Sequence, residues 1–296
     1  MRFGLTILTD LTWAESRPRW AAAEAMGFDH AWTYDHLVWG GLPESAWVGA
    51  LPTLAAAATV TSSIRLGPLV AAPNFRHPYP FLRDVQALED IAEGRLLLGL
   101  GTGGTLDAGV LGGPELALKE RVDRFQEFVQ LLRRLRDEDH VDSEGRWFST
   151  RDARTLPALR RTPFLVAANG PRSLRFAARV GDGWVTTGPP GAADVDEWFA
   201  GLATASATFE EALVAAGRDP REVPRYLNTD STPHLATGVG RFALASAAFF
   251  EEVVGRAGEL GFTDIVTHWP RPDEPYAGSE AVLEQVAAEV MPGLRG

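Results

Sequence analysis

Residues 163–188, PFLVAANGPRSLRFAARVGDGWVTTG, read as one complete β–α–β unit. An apolar strand over Phe164–Ala168 stops at Asn169–Gly170, a helix opens on Pro171, and a second strand starts at Trp184. Proline suits the first helical position because its missing N–H would have had no partner there. The N–H groups just after it are unpaired and favour an anion, phosphate above all. Two readings of the segment stay open at this point: an ordinary unit whose glycine makes the turn, or the anion seat of an α/β enzyme.

The same alternation extends in both directions. Apolar runs of strand length occur at 3–8, 28–34, 64–71, 95–101, 164–168, 183–187, 224–230 and 262–268. Segments with helical periodicity lie between them, at 18–26, 46–61, 80–92, 119–137, 171–180, 193–216, 240–260 and 279–291. Strands too apolar to face water, alternating with helices, predict a parallel sheet covered by helices. Eight such units close most simply into a (β/α)8 TIM barrel; a doubly wound open sheet is the alternative. No linker divides the chain, so residues 1–296 are read as one barrel domain. It carries insertions after strand four (102–118) and before strand five (138–162), the latter with a small hairpin around VDSEGRWF (141–148).

Composition narrows the function. The net charge of −11 argues against nucleic acid or an anionic membrane as partner. With no cysteine, disulfides, thiolate metal sites and a cysteine nucleophile are all excluded, which fits a cytoplasmic protein. No apolar stretch reaches the length of a membrane span, and the N-terminus lacks a signal-peptide core. Lys119 is the one lysine.

In a barrel the segments after the strands form the catalytic mouth. Asp35 and His36 end the second strand there, and a histidine in that place can act as acid, base or hydrogen-bond donor. Trp13, Trp39, Trp47, Trp184 and Trp269 lie in or beside such segments and suit a planar ligand, or simply pack the barrel top. Gly99, Gly101 and Gly104 satisfy G-x-G-x-x-G, but no helix opens at once, so the dinucleotide fingerprint is rejected. Those glycines are read as letting backbone approach a flat ligand, or as a flexible lid. His77, His140 and His234 are scattered, and no metal site is expected. No G-x-S-x-G elbow is present.

Four segments together resemble the luciferase-like superfamily of flavin-dependent (β/α)8 oxidoreductases: GFDHAWTYDHL (27–37), IRLGPLVAAPNFRHP (64–78), GRLLLGLGTGG (94–104) and VAANGPRSLRFAARVGDGW (166–184). LGFTDIVTHWPRP (260–272) agrees. Within the superfamily the chain is most similar to the coenzyme F420-dependent branch, in particular its sugar-phosphate dehydrogenases. The resemblance implies hydride transfer between bound F420 and a small organic substrate, with His36 near the reactive carbon and Asp35 beside it as the catalytic residues. It implies a bulge at Val70 and Ala71 behind the cofactor ring, with a non-proline cis peptide at Leu69–Val70 or Val70–Ala71. It implies Thr102 and Gly103 beside the ring, and Asn169, Gly170, Pro171, Arg172 and Thr187 at the phosphate portion. Trp39, Trp47, Asn74 and Asp107 are assigned to the substrate pocket, and family habit implies a homodimer. The sugar-phosphate enzymes carry a glutamate where this chain has Gly104, and a phosphate-binding lysine where it has Pro190, so glucose-6-phosphate is not the expected substrate. The alternatives are a monooxygenase using reduced FMN and oxygen, and a flavin-binding barrel without turnover.

Overall fold

The computed structural model describes residues 1–159, 162–230 and 242–295. Its frame is a sheet of eight parallel strands: β1 (Arg2–Thr6), β2 (His30–Thr33), β3 (Arg65–Pro68), β4 (Leu98–Leu100), β7 (Phe164–Ala167), β8 (Gly183–Thr186), β9 (Arg225–Asn228) and β10 (Asp264–His268). Strands β5 (Val141–Glu144) and β6 (Ser149–Ala153) form the expected antiparallel hairpin before β7. The hydrogen-bonded order is β3-β2-β1-β10-β9-β8-β7-β4. The remaining seam, β3 to β4, closes through bridges at Leu66–Leu96 and Ala71–Leu100. Between those bridges the β3 chain advances five positions and the β4 chain four. One residue is therefore bulged out, which is the β-bulge geometry of a two-against-one mismatch.

Each strand carries two sets of apolar side chains because both of its faces are covered. One set, with Trp32, Leu97, Leu165, Val185, Tyr226 and Val266, fills the barrel interior. The other packs outward against the helices in a far larger cluster. At the N-terminal end the barrel is plugged by Asp264, which accepts from Arg2 at 2.8 and 2.7 Å and from His30 Nε2 at 3.1 Å. Burial pushes the Asp264 carboxyl up, but these donors outweigh it and hold the group below the usual carboxylate range.

The helices are α1 (Trp13–Ala25), α2 (Ala50–Ala58), α3 (Pro78–Ile91), α4 (Leu106–Val110), α5 (Leu118–Asp137), α6 (Pro171–Val180), α7 (Val195–Ala215), α8 (Ala247–Glu259), α9 (Glu280–Gln285) and α10 (Met291–Leu294). Three of the expected helices depart most from their expected spans. Helix α1 begins five residues before Pro18, because Glu15 accepts from both the N–H and the hydroxyl of Thr12 and closes a capping box. The last predicted helix is broken by a π turn at Val286–Val290. Helix α8 begins only at Ala247, capped by Ser246, after a short 3-10 turn at Ala243–Ala245. The first residues predicted for it, 240 and 241, lie outside the described residues. Helix α4, inside the loop after β4, was not anticipated.

Candidate active site

The chain following β2 carries the most chemistry. Strand β2 ends at Thr33, so Tyr34, Asp35 and His36 lie beyond the regular alternation of the strand. Asp35 is buried and receives both arms of Arg76, each at 2.6 Å. That fork geometry is the strongest form of carboxylate pairing. His36 sits apart from it. Its Nδ1 lies 2.8 Å from Asp107 Oδ2, while Oδ1 of the same carboxylate accepts from the Leu37 N–H at 2.8 Å and the Val38 N–H at 3.4 Å. Asp107 comes from α4 and is buried, with burial pushing its carboxyl up and the bonds from His36, Leu37 and Val38 holding it below its ordinary value. The two adjacent residues of the sequence thus face two different partners, 41 and 71 positions away.

Around His36 lies an aromatic cluster. The Tyr34 ring meets His36 edge-on at 6.2 Å and Trp39 at 5.3 Å; Trp39 lies against Trp47 and stacks on Tyr276. Trp39 is buried, and the Trp47 indole N–H is buried without a partner among the described residues. Of the other tryptophans, Trp184 packs outward on Phe209 and Phe262, Trp269 bonds Glu280, and Trp13 heads α1. Asn74 uses both ends of its amide on protein: it donates to the Gly104 carbonyl and accepts from Arg124, each at 2.9 Å. It holds the loop after β4 in place.

The bulge sits beside this cluster. Its cis peptide is at Leu69–Val70. Gly99 and Gly101 on the β4 chain make room for it: a Cβ on Gly101 would collide with Val70 Cγ2, and one on Gly99 with the Pro68 carbonyl. Their absent side chains therefore admit the bulge, a cause different from the approach to a ligand read from the sequence. Ala71 is buried at the Leu100 bridge. Gly103 has φ +69° and lies against Asn74, its carbonyl accepting from Arg121 at 2.9 Å. Thr102 precedes it and is half-buried.

Across the mouth, α6 starts at Pro171 after Gly170, with no side chain capping it. A Cβ on Gly170 would meet only open space. Asn169 bridges two threonines, accepting from Thr186 at 2.7 Å and donating to Thr187 at 3.2 Å. The guanidinium of Arg172, assigned to the phosphate by resemblance, lies on Asp123 of α5. A helix N-terminus without a side-chain cap, opening on a glycine that faces open space, fits a phosphorylated cofactor tail.

Sequence reading missed one buried network. His268, at the end of β10, lies 3.1 Å from Asp230 through Nδ1 and 2.6 Å from the Tyr34 hydroxyl through Nε2. Tyr34 in turn meets the Tyr276 hydroxyl at 3.1 Å. Burial pushes Tyr34 up to about 12 against the bonds from Tyr276 and Asn228, and pulls His268 down against Asp230. The rule that singled out His36, a histidine at the mouth end of a strand, applies equally to His268. Of the other histidines, His77 caps α3 and His140 pairs with Asp152; His234 lies outside the described residues. Among the described residues no group of three or more His, Asp or Glu is placed to hold a metal ion.

The family model described as luciferase-like monooxygenase matches residues 1–230. The chain belongs to that family. An F420-dependent glucose-6-phosphate dehydrogenase of Intrasporangium calvum is 33% identical, covering 93% of this chain and 92% of the relative. An F420-dependent hydroxymycolic acid dehydrogenase of Mycobacterium tuberculosis is 35% identical, covering 92% of this chain and 76% of the relative. Among solved structures, an F420-dependent secondary alcohol dehydrogenase in complex with an F420-acetone adduct superposes with TM-score 0.82 at 17% identity, covering 100% and 99% of the two chains. The F420-dependent tetrahydromethanopterin reductase of Methanopyrus kandleri gives TM-score 0.78 at 20% identity, covering 99% of each. At such identities the structural likeness establishes the family's barrel fold for this member.

Proposed function

We infer that this chain is an F420-dependent oxidoreductase, transferring a hydride between bound coenzyme F420 and a small organic substrate. The observation that carries the reading is the pair of near-full-length relatives. Their names share the cofactor and differ in the substrate, so the cofactor is the part most safely carried across.

When bound, F420 supplies the two-electron chemistry. The protein's residues do the rest. Val70 and Ala71 back the ring site, Thr102 and Gly103 border it, and Asn169, Gly170, Pro171 and Thr187 hold the phosphate end, with Arg172 at its edge. His36 holds or accepts a proton at Nε2, which has no partner among the described residues. Asp35, closed off by Arg76, positions the loop on which His36 stands. Trp39 and Trp47 wall the pocket and exclude water.

The pocket rim favours an apolar substrate body. Eight large apolar residues are exposed among the described residues; of these Val48 lies in the segment after β2, Leu106, Val110 and Leu111 lie in the segment after β4, and Leu118 opens α5. Such clustering marks a binding surface, whereas scattered exposed apolar residues are ordinary. The same reading takes residues 1–296 as one domain and the enzyme as a cytoplasmic homodimer without a nucleic-acid or membrane partner; the net charge of −11 supports the absence of nucleic acid.

Titration of the purified protein with F420 and with FMN tests the assignment. Binding of F420 in preference to FMN is expected, with turnover on secondary alcohols or the matching ketones. His36→Ala is expected to lower turnover by roughly 10²-fold while leaving F420 affinity within about twofold. Tight FMN binding with no affinity for F420 refutes the cofactor, and an unchanged rate in His36→Ala refutes the role of the histidine.

A further inference from the structure

We propose that Asp107 is the positioning residue for His36: its buried carboxylate takes the Nδ1 proton, leaves Nε2 as the reacting nitrogen, and supports the imidazolium that forms when Nε2 gains a proton. The proposal rests on the oxidoreductase reading and adds to it a residue that acts through the histidine.

The geometry restricts the alternatives. An ionised carboxylate only accepts, so at 2.8 Å from Asp107 Oδ2 the proton of the hydrogen bond must lie on His36 Nδ1. In the neutral ring Nε2 is then the acceptor. Asp107 is itself fixed, because Oδ1 accepts from the Leu37 and Val38 N–H groups on the loop that carries His36. Those bonds tie α4 and the His36 loop into one unit. The His36 side chain keeps 27% of its surface exposed, whereas that of Asp107 keeps 2%. The histidine is thus open to a ligand on one side and its partner is closed. A ring held this way is the arrangement in which a buried carboxylate sets the tautomer of a catalytic histidine and steadies its cationic form.

The charges around His36 agree. Asp35, its chain neighbour, is matched by Arg76. Tyr34, which faces the ring edge, is kept neutral by burial. Asp107 on α4 is the anion left in contact with the ring among the described residues. Burial pushes the Asp107 carboxyl up, and the bonds from His36, Leu37 and Val38 hold it below its ordinary value, so it is the acceptor of all three. In the alcohol-oxidising direction the substrate O–H bond breaks and its electron pair becomes the second C=O bond. The proton would form the Nε2–H bond, and F420, when bound, would supply the acceptor for the hydride that carries off the C–H electron pair. Asp107 stays ionised throughout.

Histidine-ring 15N NMR of the full chain tests this without cofactor or substrate. The chain has six histidines, and His36→Asn identifies the His36 signals by difference. Neutral His36 is expected as the Nδ1–H tautomer, and Asp107→Asn is expected to shift it toward a mixture. Turnover should fall roughly tenfold to a hundredfold, with KM within about threefold and F420 affinity unchanged. A wild-type His36 protonated on Nε2 when neutral overturns the proposal even if the variant does not fold. So does an Asp107→Asn protein that keeps the wild-type tautomer, whatever its stability. Failure of wild-type protein to bind F420 sinks the oxidoreductase reading alone, because the ring measurement needs no cofactor.

Discussion

Gly101→Ala tests whether the Val70 bulge is the rest for the cofactor ring. Gly101 does not have positive φ, so alanine is acceptable to the backbone and the effect is steric. The new Cβ would lie 3.3 Å from Val70 Cβ and 3.5 Å from Ala167 Cβ, and it would penetrate Val70 Cγ2 inside 3.0 Å. Ala167 lies on β7, so the methyl is pinned between two strands and cannot relieve the contact by moving sideways. Either Val70 moves, or the β3–β4 seam opens where only two bridges close it. Overpacking by one methyl costs about 1–3 kcal/mol of folding stability. If Val70 supports the ring, a displacement of the bulge should also weaken F420 binding by about tenfold, which corresponds to roughly 1.4 kcal/mol. Urea denaturation without cofactor measures the first quantity, and fluorescence titration with F420 the second. Val70→Ala/Gly101→Ala removes Val70 Cγ2, the atom that the new methyl penetrates, so the double variant should be more stable than the two single losses added together by about 1 kcal/mol or more. A Gly101→Ala protein with wild-type stability, or strictly additive single variants, refutes the packing argument. Normal stability loss with unchanged F420 affinity refutes the ring-support role alone.

Two predictions concern the scaffold. Glu24 accepts from the N–H groups of Ser62, Ser63 and Ile64 at 2.9, 2.6 and 2.8 Å. Burial pushes its carboxyl up, but those bonds win and hold it at about 2, below the ordinary 4.5. A group depressed in the folded state stabilises above its unfolded value and loses that stability as pH falls from 4.5 through about 2. Glu24→Gln should therefore cost about 1–2 kcal/mol at pH 7 after allowance for solvent screening, and the gap to wild type should close toward pH 2; a gap independent of pH refutes it. Arg76→Met removes the guanidinium that lies over the Phe75 and Phe81 rings and leaves Asp35 buried and unpaired. A loss of about 3–5 kcal/mol is expected by thermal or chemical unfolding, partly restored in Asp35→Asn/Arg76→Met, and a loss under 1 kcal/mol counts against the pair.

The barrel was legible in the sequence for a physical reason. Strands covered on both faces must be apolar at nearly every position, so each left a continuous run such as LLLGL at 96–100 or FLVAA at 164–168. The helix beginning at Pro171 was legible for the same kind of reason, since its start is written locally in Asn169–Gly170–Pro171. Thr12 and Glu15 carry an equally local signal, which Pro18, itself a residue suited to a helix start, masks in the sequence. The site is a different matter, because a side chain's type sets what it can do while its partner depends on loops brought together from far apart. Asp35 and His36 are neighbours in sequence and looked like a catalytic pair. The fold gives one to Arg76 and the other to Asp107, and neither spacing is periodic. Asp107 itself stood in a run of glycines and apolar residues, where a carboxylate looked available to substrate. Only the unforeseen α4, folded against Leu37 and Val38, turns it to the histidine. The glycines of the β4 chain make the same point in reverse. They suggested a ligand approaching the backbone, and what approaches Gly99 and Gly101 is the protein's own bulge. A single sequence thus records which residues a site has to work with, and the loops decide which pairs of them act.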